Sequence, residues 1–247
     1  MNQEVENINP YGTAEAKHAQ VRVMFDSIAP AYDVMNRMMT FGVDRRWRRK
    51  AVAGVAGASP RKVLDIATGT GDLAMALARA LPEADITGVD LSEGMLELGR
   101  AKVERAGMAG RVTFSVADAL ALPFDDNSFD AVTVAYGVRN FEHLDRGYAE
   151  MLRVLRPGGM LCVLELSVPS SALVKPFYAA YTGAIIPLVG RMVSRDARAY
   201  SYLPRSIRAV PAREAMTDLM AAAGFTGCRW RSLTMGVCTM YTALKPD

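Results

Sequence analysis

A glycine turn between a strand and a helix is the feature that most constrains how this chain can fold. Residues 63–71 read V-L-D-I-A-T-G-T-G, an apolar, β-prone run that ends in a turn with Gly69 and Gly71. The pattern predicts a strand, a sharp turn and a helix that begins near Asp72. Because glycine has no Cβ atom, a flat ligand can approach the main chain there, and the helix N-terminus offers unpaired N–H groups. The stretch therefore predicts an α/β fold with a nucleoside site at this turn.

The turn alone leaves two cofactors open, because Gly69, Gly71 and Ala74 also fit the G-x-G-x-x-A spacing of a dinucleotide-binding turn. The charges beside the turn favour a cationic ligand. An acidic pair at Asp65 and Asp72 would repel a pyrophosphate and attract the sulfonium and amino groups of S-adenosylmethionine. We therefore predict S-adenosylmethionine as the cofactor, with Asp65, Gly69 and Gly71 among its contacts.

Two later strand ends carry further acids. Asp90 closes the run D-I-T-G-V-D, where a carboxylate can accept hydrogen bonds from both ribose hydroxyls. Alternatively, Asp90 caps the N-terminus of the next helix. Asp118 and Ala119 follow the third strand and can bind the amino group and a ring nitrogen of adenine, with Met95 packed nearby. Acids at successive strand ends predict a cofactor site at the carboxyl edge of a parallel sheet.

The fourth strand, predicted at 131–136, ends in the motif G-V-R-N, which contains Arg139 and Asn140. An arginine at this tip can hold an anionic oxygen or orient a water, with Asn140 as a neutral hydrogen-bonding partner. A salt bridge from Arg139 to Glu142 or Asp145 is the structural alternative. We expect Arg139 and Asn140 to be catalytic residues.

The chain ahead of the turn is predicted to be helical, with Pro30 breaking the first segment. The run F-D-S-I-A-P-A-Y ends at Tyr32, whose phenol can close over a site or serve only as a packing residue at its rim. Five cations surround Trp47 in D-R-R-W-R-R-K. They indicate either a solvated helix face or a surface that meets anionic lipid headgroups, with Trp47 at the interface.

A long apolar insertion, 173–193, interrupts the alternation of strands and helices after the fifth strand. It predicts a cover over an apolar substrate or, alternatively, a packing or dimer helix pair. A helix over 211–223 and an antiparallel hairpin close the chain. We therefore divide a single domain, 1–247, into a helical cap at 1–60, a cofactor-binding core at 61–168, a substrate cover at 169–210 and a C-terminal helix and hairpin at 211–247.

Composition limits the remaining classes of function. With 247 residues and 51% hydrophobic content the chain can bury one large core, and a net charge of +3 does not mark a nucleic-acid binder. The three cysteines lack C-x-x-C spacing and are expected to be buried thiols in a reducing compartment. The acidic N-terminus is not a signal peptide, and the uncharged run 176–190 is too short to span a bilayer. We expect a cytoplasmic protein with no metal site.

Longer motifs cover almost the whole chain, from about Tyr11 onward. They are M-F-D-S-I-A-P-A-Y-D-x-M-N-R-M-M-T-F-G, L-D-I-A-T-G-T-G-D, G-V-D-L-S-E-G-M-L, Y-G-V-R-N and L-x-V-L-R-P-G-G. Together they resemble the quinone-biosynthesis C-methyltransferases that act on demethylmenaquinol and on the related ubiquinol precursor. The resemblance implies a class I S-adenosylmethionine-dependent methyltransferase fold, Rossmann-like, with a seven-stranded, mostly parallel sheet and a C-terminal antiparallel hairpin. It also implies cofactor contacts at Thr68, Asp90 and the Asp118–Ala119 pair.

The same resemblance implies a reduced isoprenoid naphthoquinone as substrate. Arg139 would stabilise the quinolate, with Asn140 and Tyr32 positioning it. Ubiquinone-pathway members resemble S-F-G-L-R-N at the strand-four tip, with the serine as a cofactor contact, whereas residues 135–140 read A-Y-G-V-R-N here. Loss of that hydroxyl favours activity on the menaquinone precursor alone.

Two other classes of function stay open at this point. An RNA methyltransferase would use the basic run around Trp47, although no catalytic C-x-x-C or N-P-P-Y motif accompanies it. A cofactor-binding interaction module would bind S-adenosylmethionine without transferring its methyl group. We expect transient contact with a membrane surface and no nucleic-acid partner, and a homodimer remains open.

Overall fold

A seven-stranded sheet in the order β3-β2-β1-β4-β5-β7-β6 forms the centre of the protein. The structure is a computed structural model that describes residues 3–185 and 197–247. Neighbouring strands from β1 to β5 pair in parallel, and β7 pairs antiparallel with both β5 and β6. The strands are β1 (Lys62–Ile66), β2 (Asp85–Asp90), β3 (Val112–Val116), β4 (Phe129–Ala135), β5 (Leu155–Leu166), β6 (Thr226–Leu233) and β7 (Cys238–Leu244). The predicted sheet is confirmed, and its order reverses between β1 and β4, where open α/β sheets bind ligands.

The helices lie on both faces of the sheet and across its carboxyl edge. They are α1 (Lys17–Thr40), α2 (Asp44–Ala56), α3 (Asp72–Ala80), α4 (Glu93–Arg105), α5 (Leu144–Val154), α6 (Lys175–Ala180), α7 (Ala197–Ala209) and α8 (Glu214–Ala222). A short 3-10 turn, Val138–Asn140, follows β4. None of the described helices is long and apolar enough to cross a membrane.

Buried side chains fill both faces of the sheet, as a largely parallel sheet requires. Alternate residues of β1 show this division, because Val63 packs with α2 and α3 while Leu64 packs with α5 and α8. Cys162 and Cys238 are buried, Cys228 is half-buried, and none of them forms a disulfide. The prediction of buried thiols is therefore confirmed for Cys162 and Cys238 but not for Cys228.

Helix α1 runs unbroken through Pro30, so the predicted break is wrong. Proline removes one backbone hydrogen bond from a helix, and packing has to offset that loss. Asp26 supplies part of the compensation, because its Oδ1 accepts hydrogen bonds from the Ser92 hydroxyl at 2.6 Å and the Gly94 N–H at 3.2 Å. Ala29 lies in a buried cluster with Met95 of α4. These contacts hold α1 across the carboxyl edge of the sheet.

Strand β5 begins at Leu155 and contains the R-P-G-G sequence at 156–159. The register with β4 shifts from Phe129↔Leu155 to Ala131↔Met160, so the proline and glycines form a bulge inside the strand. Proline is tolerated at a bulge because no ladder hydrogen bond needs its nitrogen. The proline and glycines therefore interrupt the pairing of β5 without ending the strand.

Trp47 belongs to the core, so the alternative that places it at a lipid interface is wrong, and the alternative of a solvated helix face fits the cations around it. Its side chain is 4% exposed, and its Nε1–H donates to the Thr234 hydroxyl at 2.7 Å. Arg48, the next residue, donates to Asp44 and Asp72. The helical repeat leaves the other cations of the run exposed. The run is thus the outer face of an amphipathic helix with a tryptophan on its inner face.

Candidate active site

Two cavities lie side by side at the carboxyl edge of the sheet. The edge cavity, of about 60 Å³, is formed by the ends of β1, β2 and β4, and by the segment after β3. The apolar cavity, of about 380 Å³, is formed by α1, α6, α7 and the start of α2. The two share a wall made by Phe25, Tyr32, Tyr136 and Asn140. Groups bound in the two cavities would meet at this wall.

Asp90 is the best-anchored acid of the edge cavity. Its Oδ2 accepts the Gly69 N–H at 2.8 Å, and its Oδ1 accepts the Ser92 N–H at 3.0 Å. The hydroxyl of Ser92 caps α4 by accepting the Met95 N–H, so Asp90 is not the helix cap. Burial raises the pKa of Asp90. Each carboxylate oxygen has two acceptor positions, so both retain capacity for a ligand.

The other predicted contacts that line the edge cavity are Gly69, Met95, Asp118 and Ala119. A Cβ atom on Gly69 would approach nothing closer than Tyr32 Cε1, at 3.9 Å, and would occupy space that a ligand can use. Asp118 forms a hydrogen bond within its own loop, where its Oδ1 accepts the Leu120 N–H at 2.9 Å. The cavity therefore combines the acids Asp90, Asp118 and Glu142 with an open stretch of main chain.

Gly71 serves packing at the turn. It does not line the edge cavity, and a Cβ atom on it would lie 2.5 Å from the ring of Phe114 in β3. Its φ of +78° also favours glycine. The sequence argument that both glycines admit the ligand thus holds for the space beside Gly69 and not for Gly71.

Asp65 and Thr68 lie beneath the turn and do not line the edge cavity. The two oxygens of Asp65 accept hydrogen bonds from the hydroxyls of Thr68 and Thr133, each at 2.6 Å. Burial raises the pKa of Asp65 to about 6, although these hydroxyls act in the opposite direction. Asp65 therefore supports the turn from inside the protein.

Asp72, the other member of the predicted acidic pair, faces away from the cavity. Its carboxylate binds Arg48 at 3.0 Å and Lys102 at 2.9 Å. Burial alone would raise the pKa of Asp72, but the two cations outweigh it and lower the pKa. The prediction of a cationic ligand relied on Asp65 and Asp72, and neither of them lines the cavity. Asp90 and Asp118 do line it and favour a positively charged ligand in their place.

Arg139 is buried against a carboxylate that the sequence analysis did not pair with it. Its Nη1 donates to Glu165 Oε1 at 2.8 Å and to the Tyr136 carbonyl, and its backbone N–H donates to Glu165 Oε2 at 3.2 Å. The alternative salt bridge to Glu142 or Asp145 is not the one formed, since Arg139 pairs with Glu165, and Glu142 pairs with His18 at 2.8 Å. Burial acts to lower the pKa of Arg139, and Glu165 reverses this and raises it. Glu165 follows an apolar run in β5, which was the only sequence signal for a buried acid.

Arg139 lines the apolar cavity, and its guanidinium can still donate a hydrogen bond. Its Nε atom is buried and has no hydrogen-bond partner among residues 3–185 and 197–247. A buried donor without a partner costs free energy until an acceptor reaches it. The site can therefore accept an oxygen from a ligand.

Asn140 and Tyr32 line the apolar cavity together with Arg139. Asn140 Oδ1 accepts the hydroxyl of Tyr202 at 3.1 Å, and Tyr32 lines both cavities. Burial raises the pKa of Tyr32 and of Tyr202, so both phenols stay protonated at neutral pH. Tyr202 lies on α7, far along the chain, and no motif pointed to it.

The apolar insertion contributes a wall of the apolar cavity. Val174, Phe177, Tyr178 and Tyr181 line it from α6 and the turn that follows. Met24 and Met35 face them from α1. Positions 186–193 of the insertion lie outside the described residues. The described part of the insertion therefore covers a cavity that is lined mainly by apolar side chains.

The sequence of this chain is similar to those of known proteins. A profile of the ubiE/COQ5 methyltransferase family matches residues 13–245. A demethylmenaquinone methyltransferase of Porphyromonas gingivalis is 48% identical over 98% of this chain and 100% of its own length. The ubiquinone/menaquinone biosynthesis C-methyltransferase UbiE of Geobacter sulfurreducens is 46% identical over 93% of this chain and 90% of its own.

Among solved structures, phosphoethanolamine N-methyltransferase 2 of Haemonchus contortus, in complex with S-adenosyl-L-methionine, superposes with a TM-score of 0.60. The match covers 81% of this chain and 53% of that one, at 18% identity. At such identity the likeness concerns the fold alone. It agrees with the class I methyltransferase fold that the sequence predicts.

Proposed function

The chain belongs to the ubiE/COQ5 methyltransferase family, and we propose that it transfers the methyl group of S-adenosylmethionine to a ring carbon of reduced demethylmenaquinone. The observation that carries the proposal is the pairing of an acid-lined edge cavity with an apolar cavity that contains Arg139. The name of the Porphyromonas gingivalis relative supports the naphthoquinol substrate. The name of the Geobacter sulfurreducens relative favours a ubiquinol precursor as a second candidate.

The residues of the edge cavity fit S-adenosylmethionine. Asp90 would accept the ribose hydroxyls, Asp118 and Ala119 would bind the adenine, and the space beside Gly69 would admit the amino acid part of the cofactor. When bound, the cofactor supplies an electrophilic methyl group on a positively charged sulfur. The acids Asp90 and Asp118 favour that charge.

The edge cavity has a helical cover. Helix α1 forms this cover and carries His18, whose Nδ1 lies 2.8 Å from Glu142 Oε2 across the cavity rim. The side chain of His18 is 49% exposed, and solvated pairs of this kind contribute little free energy. The pair therefore adds little to the buried contacts of α1, such as Asp26 with Ser92, that hold this cover in place.

The apolar cavity fits a quinol with a hydrocarbon tail. A quinol hydroxyl has a pKa near ~10, by analogy with tyrosine, and must lose its proton for negative charge to reach the neighbouring ring carbon. Arg139 would stabilise that quinolate oxygen, and the Glu165 carboxylate holds the guanidinium in place. Asn140 and Tyr32 would position the ring beside the methyl donor.

Methyl transfer itself tests the proposal. The purified protein is incubated with methyl-labelled S-adenosylmethionine and either reduced demethylmenaquinone or a reduced ubiquinone precursor. Label in the ring methyl of menaquinone supports the proposal, and label in both products favours the second candidate as well. No label in either quinone contradicts it. Oxidised demethylmenaquinone is the control, because it lacks the electron-rich ring.

We also propose a transient membrane contact through four exposed apolar side chains, here called the rim. Phe41, Leu173, Phe177 and Met235 are 81%, 82%, 79% and 70% exposed. Phe41 and Phe177 line the apolar cavity, and the other two adjoin its lining residues Val174 and Thr234. Large apolar side chains collected around an opening are typical of an interaction surface.

The charges near the rim favour an anionic lipid surface. Exposed cations, among them Arg37, Arg45 and Lys175, lie in the same segments. Asp44 is the only acid between Asp33 and Asp65, and Arg48 pairs with it. A lipid surface is also where an isoprenoid tail is dissolved, so the rim would receive the substrate directly.

Vesicle flotation tests the rim. We expect the double variant Phe41→Ser, Phe177→Ser to bind phosphatidylglycerol vesicles at least tenfold more weakly, since each buried phenylalanine contributes about 1.5–3 kcal/mol. Val23→Ser is the matched control, because Val23 is half exposed on α1 and lines neither cavity. Equal flotation of the double variant and the wild type would rule the rim out. A cytoplasmic location and a homodimer stay predictions, which fractionation and size exclusion test.

A further inference from the structure

The hydroxyl of Tyr136 is a buried polar atom with no hydrogen-bond partner in the described part of the chain. Tyr136 follows β4 directly and lines both the edge cavity and the apolar cavity. Leaving such a group unpaired costs about 1–3 kcal/mol, and native proteins keep few of them. An acceptor that enters the shared wall of the cavities would satisfy it.

The backbone of Tyr136 is held in an unfavourable conformation. Its φ is +60°, a left-handed region that costs a bulky residue roughly 1–2 kcal/mol. Two hydrogen bonds keep it there: its N–H donates to the Leu164 carbonyl at 2.7 Å, and its carbonyl accepts from Arg139 Nη1. Glycine or asparagine would meet less strain at this position. A tyrosine kept under strain at the tip of β4 points to a use for its phenol.

The surroundings of Tyr136 define what its hydroxyl can bind. Its ring packs edge-on against Trp47, with ring centroids 6.3 Å apart, on the α2 side of the apolar cavity. Burial raises its pKa well above the ordinary value, so the phenol remains a hydrogen-bond donor. Arg139 Nε is a second unpaired buried donor three residues further on. Two donors and an apolar wall suit a flat ring that carries two oxygen atoms.

We propose that Tyr136 donates a hydrogen bond to the quinol oxygen that keeps its proton, while Arg139 binds the oxygen that loses it. Tyr136 is then a substrate-binding residue that orients the ring and selects ligands with oxygens at both positions. The inference rests on the proposed function for the identity of the quinol. It assigns a role to a residue that neither the cofactor contacts nor the Arg139–Glu165 pair explains.

Binding of oxidised demethylmenaquinone tests the inference, because this form retains both ring oxygens and does not react. Quenching of tryptophan fluorescence reports binding close to Trp47. We expect Tyr136→Phe to raise the Kd for the quinone roughly tenfold, as loss of a hydrogen bond to a buried oxygen does, and to leave the Kd for S-adenosylmethionine within twofold. Tyr148→Phe is the matched control, since that buried phenol donates to Met216 Sδ and lines neither cavity.

Thermal unfolding of the ligand-free protein gives an independent result. Because the hydroxyl of Tyr136 has no described partner, Tyr136→Phe should not lower the Tm, whereas Tyr148→Phe should. An unchanged quinone Kd in Tyr136→Phe, a parallel loss of cofactor affinity or a lower Tm would each overturn the inference.

Failure of the proposed function gives a different pattern. If the wild type binds the quinone through Tyr136 but methylates no quinol, the methyl transfer fails and the binding role of Tyr136 stands. If the wild type methylates demethylmenaquinol and Tyr136→Phe binds the quinone equally well, the proposed function stands and this inference falls.

Discussion

The two cavities are built by different means although they share a wall. The edge cavity lies on residues that directly follow strands, and main-chain hydrogen bonds such as Gly69 N–H to Asp90 fix its shape. The apolar cavity is assembled from α1, α6, α7 and the start of α2, and side-chain packing together with the buried Arg139–Glu165 pair fixes its shape. A site fixed by main-chain hydrogen bonds is sensitive to substitution at a few positions. A site fixed by side-chain packing tolerates moderate substitutions at many positions.

The largest expected effect comes from a substitution that disrupts the edge cavity. Asp90→Ala leaves the Gly69 and Ser92 N–H groups without their acceptor and removes the acid that would bind the ribose. Two charge-assisted hydrogen bonds contribute roughly 3–6 kcal/mol together, so calorimetry should show S-adenosylmethionine binding at least 100-fold more weakly. Asp85→Asn, an exposed residue at the other end of β2, is the control. Unchanged affinity in Asp90→Ala would place the cofactor elsewhere.

A smaller, pH-dependent effect on the free energy of unfolding tests whether Asp65 supports the turn from inside the protein. Because burial raises the pKa of Asp65 from 3.8 to about 6, the folded state binds its proton more tightly than the unfolded chain does. The resulting stability is complete below the unfolded pKa and is lost as the pH rises through 6. It amounts to roughly 3 kcal/mol. The variant Asp65→Asn cannot titrate, so its unfolding free energy relative to the wild type should rise by most of this amount between pH 4 and pH 7.5.

Urea unfolding at each pH measures this difference, and a difference that does not change with pH would contradict the burial argument. Asp130→Asn should show the opposite trend. Burial acts to raise the pKa of Asp130, but the N–H groups of Lys62 and Arg61 and the Arg156 guanidinium lower it. Asp130 therefore stabilises the fold at neutral pH and loses this effect as the pH falls.

The residues show which parts of the molecule the sequence could reveal. The bounds of β2 and the lining role of Asp90 were predictable because strand pattern and chain position are local properties. The pairing of Arg139 with Glu165, the hydrogen bond of Tyr202 to Asn140 and the buried position of Trp47 depend on segments that are distant in the chain. Local patterns carry no information about such contacts. The same limit applies to Pro30, because its cost is met by packing of α1 on α4.

The smallest effect sharpens the contrast between the two glycines of the turn. Gly71→Ala brings a Cβ atom into the ring of Phe114 and should cost about 2 kcal/mol of folding stability, as overpacking does, with little change in cofactor Kd. Adding Phe114→Leu should recover part of that loss. Gly69 also has a positive φ, +56°, so Gly69→Ala should cost roughly 1 kcal/mol of stability. Its main effect should be weaker cofactor binding, because the Cβ atom meets no protein atom closer than 3.9 Å. The reverse assignment of the two effects would show that Gly71 is the glycine beside the ligand.

The central claim is that one cavity holds the methyl donor and the other activates the quinol through Arg139. The most direct test is the double variant Arg139→Gln, Glu165→Gln, which removes both members of the buried pair and so leaves no unpaired charge. Turnover with reduced demethylmenaquinone and calorimetric binding of S-adenosylmethionine are measured on the same preparation. The account predicts that kcat falls roughly 100-fold, or about 3 kcal/mol, while the cofactor Kd stays within threefold. A parallel loss of both, or turnover equal to that of the wild type, would contradict it.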